Sequence, residues 1–110
     1  MANEIAYSAS FIRKAKLYKK KYQSIVDDLH QLEETLLRNP KQGIDLGAGL
    51  YKIKLAVKSK GKGKSGGFRV VTYLVTNNLE NTIINMLTIY DKSEESSIDK
   101  KVLQEMILSL

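Results

Sequence analysis

The segment 50–73 constrains the fold more than any other part of the chain. In its first half, one face is apolar and the other mostly cationic: Tyr51, Ile53, Leu55 and Val57 alternate with Lys52, Lys54, Ala56 and Lys58. A period of two is the pattern of a β-strand with one buried face. Residues 68–75, which begin in this segment, are apolar on both faces, which is typical of a central strand. We therefore predict a β-hairpin whose strands are joined by a long lysine and glycine loop.

The flanking sequence predicts helices and two more strands. Apolar residues recur at helical spacing in two stretches, the first beginning after Ser8 or Ser10 and the second after Ser24. Asn39-Pro40 ends the second helix, and a capping box at Ser96 and Asp99 begins a last one. With strands at 4–8 and 82–90, the order is β-α-α-β-β-β-α. We expect one α+β domain over residues 1–110, with an antiparallel sheet, helices on one face and an open basic face.

Composition narrows the class of protein. The 110 residues are 43% hydrophobic, which suffices for one core, and they carry a net charge of +6 with a pI near 9.5. A chain this basic favours nucleic acid, an anionic membrane or an acidic protein as partner. The absence of cysteine excludes disulfides and thiolate metal sites. Without a signal peptide or a membrane-spanning apolar run, we expect a cytoplasmic protein.

Positive charge is concentrated in the predicted hairpin. No Asp or Glu occurs between Asp45 and Glu80, whereas seven cations do: Lys52, Lys54, Lys58, Lys60, Lys62, Lys64 and Arg69. A glycine and lysine loop is often only a soluble connector. The adjoining strands favour a binding function instead, because Lys52, Lys54 and Arg69 are expected to meet on one open sheet face. Like charges so close together are unfavourable unless an anion covers them. A phosphate backbone is the anion that we expect there.

Two motifs in the loop resemble nucleotide-binding sequences. Residues 61–66 spell G-x-G-x-x-G, but that fingerprint requires a following helix, and the sequence from Phe68 predicts a strand. Residues 63–65 resemble the end of a Walker loop, but Lys58 stands where its first glycine is required. The only histidine, His30, lies on a charged helical stretch and is interpreted as a surface residue.

The hairpin and the last strand together resemble a known family. The quoted residues are Leu50-x-Lys52-Ile53-Lys54-Leu55-Ala56, then Lys60-Gly61-Lys62-Gly63-Lys64-x-Gly66-Gly67-x-Arg69-Val70, and later Leu87-Thr88-Ile89-Tyr90-Asp91-Lys92-x-Glu94. With Asn39-Pro40 and Gly43 before them, they are similar to the HigB-like branch of the RelE/ParE superfamily, the toxins of type II toxin–antitoxin systems. The resemblance covers roughly residues 38–95 and the order of elements.

The resemblance implies an endoribonuclease, a toxin that inhibits translation by cleaving mRNA, often in the ribosomal A site. It also implies a cognate antitoxin, typically with a helix-turn-helix DNA-binding domain. Cleavage through the RNA's own 2′-hydroxyl needs a base, stabilisation of the phosphorane charge and an acid for the leaving oxygen. That chemistry requires no metal or other cofactor.

The resemblance assigns roles to individual residues. Arg69 is expected to hold the scissile phosphate, because a guanidinium binds two oxygens at once. Lys54 or Lys52 is the candidate base, since adjacent cations favour the neutral amine. Tyr90 and Lys92 are candidates for the acid or for phosphate contact, although Tyr90 is as well explained as an aromatic that closes the core. The remaining hairpin lysines are expected to contact RNA phosphates: Lys58, Lys60, Lys62 and Lys64.

One departure from the family leaves alternatives open. Some RelE-type nucleases carry a histidine or arginines beside the final strand, where this chain has Asp91-Lys92-Ser93-Glu94-Glu95. The ribosome would then supply positioning and missing groups. Two other functions fit the sequence: a ParE-like toxin that inhibits DNA gyrase without cleavage, and a non-catalytic RNA-binding module. Codon preference and the antitoxin interface have no signal in the sequence.

Overall fold

The computed structural model describes residues 3–61, 67–77 and 81–110, which form one five-stranded sheet and three α-helices. The elements in order are β1 (Glu4–Tyr7), α1 (Ala9–Lys21), α2 (Ile25–Arg38), β2 (Ile44–Gly47), β3 (Leu50–Leu55), a 3-10 turn (Lys58–Lys60), β4 (Phe68–Thr76), β5 (Thr82–Asp91) and α3 (Lys100–Leu108). The α+β class is as predicted. Lys62 and Lys64 lie outside the described residues.

The predicted hairpin forms the middle of the sheet. Strands β3 and β4 pair antiparallel from Leu50 opposite Tyr73 to Leu55 opposite Phe68. The full strand order is β1-β5-β4-β3-β2, and β1 runs parallel to β5. The sheet is therefore mixed, and the predicted antiparallel sheet was wrong for β1. The two helices between β1 and the hairpin return the chain across the sheet, which makes a parallel pairing possible.

Strand β2 was not predicted from the sequence. It pairs antiparallel with β3, with Ile44 opposite Lys52 and Asp45 opposite Tyr51. Positive φ angles at Gly47, Ala48 and Gly49 reverse the chain between these strands. The Asp45 side chain accepts a hydrogen bond from the Gly47 amide at 2.7 Å, which supports the turn.

Apolar side chains cover both faces of the sheet. One core cluster packs α1 and α2 against residues such as Ile53, Phe68 and Ile89. A second cluster, on the opposite face, contains Leu50, Val71, Leu87 and Tyr90 of the sheet with Leu103 of α3. The prediction of helices on one face only was therefore wrong, because α3 covers part of the face expected to be open. The two-sided apolar character of β4 and β5 requires cover on both sides.

The helix starts differ in their capping. The Ser8 hydroxyl accepts from the Phe11 amide at 3.0 Å and so caps α1. Ser24 precedes α2 but makes no side-chain cap, since its hydroxyl donates to Asp28 instead at 2.8 Å. Asp99 caps α3 by accepting from the Lys101 amide at 3.0 Å. Helix α3 therefore begins at Lys100, and the capping box predicted at Ser96 was wrong.

Candidate functional site

Lys54, Arg69 and Tyr90 are direct neighbours in a row that crosses three strands. Arg69 of β4 lies opposite Lys54 of β3 on one side and opposite Tyr90 of β5 on the other. Directly paired residues share a face, with Cβ atoms about 4.5–5.5 Å apart. The central strand thus places a guanidinium between an amine and a phenol. We call this set the cation row.

Lys52 extends the cation row along the same face. It lies two residues before Lys54 on β3, opposite Val71 of β4 and Ile44 of β2. Gly43, with a φ of 91°, packs so closely that a Cβ there would overlap the Lys52 carbonyl oxygen. The link from α2 therefore fixes the backbone at Lys52. The structure confirms that Lys52, Lys54 and Arg69 share one sheet face.

Arg69 is far more buried than the sequence led us to expect. Only 4% of the residue is exposed, whereas we expected a cation on an open surface. One guanidinium nitrogen, Nη1, donates to the Phe68 carbonyl at 3.1 Å. Arginine keeps its charge when buried, and a charge removed from water acts more strongly on its neighbours. Arg69 is therefore the buried member of the cation row, and Lys54 is its exposed member.

Tyr90 contributes a protonated phenol to this site. It is 1% exposed and belongs to the cluster that packs against α3. Burial raises the pKa of Tyr90, the Arg69 charge opposes that rise, and Glu95 adds to it. At neutral pH the hydroxyl therefore retains its proton and can donate a hydrogen bond. The predicted role of Tyr90 as an aromatic that closes the core is confirmed by this packing, and its role as an acid stays a prediction.

Two depressions border the lysines of β3. A groove of about 600 Å³ runs between β3 and α2, and Lys52, Lys54 and Lys58 lie among its lining residues. A smaller cavity of about 160 Å³ lies between the sheet and α3, where Lys52 and Tyr90 are joined by Lys100. Lys52 therefore borders both spaces. The side chain of Lys58 is exposed, and its backbone amide donates to Asp28 at 3.1 Å.

Lys60 has a different environment from the other hairpin lysines. Its ammonium forms a buried ion pair with Asp91 and lies 5.2 Å from the centre of the Phe68 ring. Phe68 belongs to the core beneath α1 and α2, on the face opposite the cation row. The expectation that every cation of 45–80 lacks an acidic partner in the chain was therefore wrong for Lys60. Its ammonium is already paired with a carboxylate of the protein, so we expect no contact between Lys60 and RNA.

The acid of this pair is held in its charged form. Burial alone raises the pKa of Asp91, but hydrogen bonds from Lys60 and Ser93 outweigh it and hold the pKa below 3.8. The Ser93 amide and hydroxyl donate to the carboxylate at 2.9 and 2.7 Å. The end of β5 is thereby tied to the 3-10 turn that precedes the lysine loop.

Tyr18 of α1 anchors the same end of β5. Its hydroxyl accepts from the Asp91 amide at 3.2 Å and donates to the Glu94 carboxylate at 3.1 Å. Burial raises the pKa of Tyr18 to about 12, with the Asp91 amide opposing the rise and Glu94 adding to it. These contacts hold Asp91, and with it the strand that carries Tyr90, against the helical layer.

Lys92 follows β5 in an exposed turn. Its backbone amide donates to the Gly67 carbonyl at 3.2 Å, which continues the pairing of β4 and β5 by one residue. The turn places Lys92 two residues beyond Tyr90, near the end of the strand that carries the cation row. Its role stays a prediction.

Three residues of this region were not predicted from the sequence. Asp91 lies far from Lys60 in the chain, so only the paired strands bring them together. Ser97 and Lys100 line the cavity beneath α3, but they belong to a segment whose helix start we had placed too early. The charge of Lys100 in the first helical turn was the only signal, and surface lysines are common.

No protein-family model matches this chain. Within the described ranges, no helix is long and apolar enough to cross a membrane. Across residues 3–61, 67–77 and 81–110, no group of three histidine or acidic side chains is arranged to hold a metal ion.

Proposed function

We propose that this chain is the toxin of a type II toxin–antitoxin pair, an mRNA interferase of the RelE type that inhibits translation. The observation that carries the proposal is the cation row, in which register alone aligns Lys54, Arg69 and Tyr90 on one face. The hairpin resemblance supplies the family. On this proposal the protein works in the cytoplasm, at the ribosomal A site, and a cognate antitoxin with a helix-turn-helix domain neutralises it.

The reaction we propose is cleavage of RNA by its own 2′-hydroxyl. Lys54 or Lys52 takes the 2′-hydroxyl proton, and the 2′-oxygen attacks the adjacent phosphorus. The bond from phosphorus to the 5′-oxygen then breaks, and Tyr90 or Lys92 gives that oxygen a proton. The products are a 2′,3′-cyclic phosphate and a 5′-hydroxyl. Both P–O bonds that change lie in the RNA, and the protein only takes up one proton and gives up another.

The burial of each residue supports these roles. The exposed amine of Lys54 and the half-buried amine of Lys52 are placed to receive the RNA. Arg69 is the buried member of the row, and a charge shielded from water best stabilises the negative charge that develops on the phosphorane. The Tyr90 phenol is protonated at neutral pH, as burial raises its pKa above the ordinary value of 10.0, and so has a proton to give. Lys60 has no part in this chemistry, since its charge is paired with Asp91.

The experiment is cell-free translation of one defined mRNA, with the new 5′ ends mapped. Arg69→Lys keeps the positive charge but loses the two-pronged fork, so we expect about 100-fold slower cleavage. Arg13→Lys is the matched control, because Arg13 is an exposed residue of α1. This variant should cleave mRNA at the wild-type rate. Thermal unfolding of both variants shows whether the fold is kept.

Each result separates the candidate functions. New ends that require ribosomes and Arg69 support a ribosome-dependent nuclease, and ends on free RNA support a nuclease that needs no ribosome. Folded protein that produces no ends overturns the nuclease. Gyrase inhibition would then support a ParE-like toxin, whereas salt-dependent RNA binding without toxicity would support a binding module.

A further inference from the structure

The cavity between α3 and the sheet has the composition of an anion site. It is lined by two lysines, a hydroxyl, a phenol and apolar side chains, with no acidic residue: Leu46, Lys52, Val71, Tyr90, Ser97, Ile98, Lys100 and Leu103. Its volume is about 160 Å³. We call it the α3 pocket. The sheet supplies one lysine and the helix supplies the other, so the pocket exists only where the two layers meet.

The two lysines of the α3 pocket have no acidic partner among the described residues. The structure records two ion pairs in those ranges, Lys14 with Glu95 and Lys60 with Asp91, and neither involves this pocket. The carboxylate of Asp99, which caps α3, accepts the Lys101 amide, and Asp99 is not a lining residue. The like charges of Lys52 and Lys100 repel each other until an anion lies between them.

The backbone leaves room for the Lys100 side chain at the end of β2. A Cβ built on Gly47 would lie 3.9 Å from the Lys100 ammonium, in ordinary contact. The Asp45 carboxylate beside it accepts the Gly47 amide at 2.7 Å. The Lys100 ammonium therefore lies near Gly47 at the end of β2, and Lys100 lines the same space as Leu46, Lys52 and Tyr90.

We propose that the α3 pocket binds a second phosphate of the RNA strand, next to the one that is cleaved. This inference rests on the proposed function, because Lys52 and Tyr90 belong to both sites. Two ammonium groups act on a phosphate as point charges, and the Ser97 hydroxyl offers an additional donor. Helix α3 thereby becomes part of the RNA site, and its Lys100 positions the strand relative to Arg69.

The test uses a tetranucleotide RNA with 2′-O-methyl groups, which can bind but has no 2′-hydroxyl to attack. Its affinity is measured against salt concentration for the wild type, Lys100→Gln and Lys101→Gln. Lys101 is exposed, carries the same charge and lies outside the pocket, so it controls for net charge. We expect Lys100→Gln to bind about tenfold more weakly. Its log–log salt slope should be shallower by about 0.7, while Lys101→Gln leaves both unchanged.

Parallel cleavage of the defined mRNA in cell-free translation, where ribosomes are present, distinguishes this inference from the proposed function. If Lys100→Gln keeps the wild-type affinity and slope, the α3 pocket is overturned even where cleavage occurs. If the slope changes as expected but no RNA is cleaved, the pocket stands and the nuclease falls. A wild type that does not bind the tetranucleotide also overturns the pocket. Superimposable amide spectra of the three proteins without RNA show that the substitutions leave the fold unchanged.

Discussion

The two faces of the sheet use the cations of the same hairpin in opposite ways. Beneath α1 and α2, Lys60 is buried against Phe68 and paired with Asp91. On the α3 face, Lys52 and Lys54 lie beside Arg69 and have no acidic partner among the described residues. A lysine that pairs inside the protein contributes to the fold, whereas a lysine left beside other cations is placed for an external anion.

This difference shows that charge density alone is a poor guide to a binding site. The sequence predicted that all four lysines of this stretch act on RNA, Lys52 and Lys54 as candidate bases and Lys58 and Lys60 as phosphate contacts. Strand register and a distant carboxylate separate them. Burial separates Arg69 as well, because its 4% exposure puts it beneath the surface that the lysines form.

The largest effect on stability is expected at Lys60. Lys60→Met leaves the Asp91 carboxylate buried without its cation, so we expect the free energy of unfolding to fall by about 3–5 kcal/mol. Lys14→Met is the control, since the pair of Lys14 with Glu95 is exposed and should cost less than about 1 kcal/mol. Urea denaturation followed by circular dichroism measures both. Equal losses in the two variants would contradict a structural role for Lys60.

A smaller effect is expected in acid, through Asp91. Because the folded pKa of Asp91 lies below 3.8, its contribution is fully present above pH 3.8 and is lost as the pH falls through the folded value. The loss is at most about 1.4 kcal/mol per pH unit. The stability gap between the wild type and Asp91→Asn should therefore narrow below pH 3.8. Denaturant titrations from pH 2 to 7 test this, and a constant gap would contradict it.

The sequence predicted what depends on local pattern. Alternation in 50–58 predicted the first hairpin strand, which ends earlier, at Leu55, and it placed Lys52 and Lys54 on one face. The apolar run from Phe68 predicted the partner strand. In the structure Arg69 lies directly opposite Lys54, so the two side chains share one face as predicted. These predictions succeed because side-chain direction in a strand follows from parity alone.

What the sequence did not predict depends on contacts between distant parts of the chain. The parallel pairing of β1 with β5 joins residues about 80 positions apart, and β2 is short and interrupted by a bulge near Gly47. Helix α3 packs through Leu103 on the sheet face opposite the one that α1 and α2 cover. Lys60 found its partner 31 residues away. None of these has a periodic signal.

The same substitution on the two faces tests the central claim most directly. Lys54→Met and Lys60→Met each remove one hairpin ammonium, and both the free energy of unfolding and mRNA cleavage per folded molecule are measured. We expect Lys54→Met to cleave about 100-fold more slowly with unchanged stability. Lys60→Met should lose stability while each folded molecule cleaves at the wild-type rate. Full cleavage by Lys54→Met and also by Lys52→Met, or slow cleavage by folded Lys60→Met, would contradict the division of the cations between the two faces.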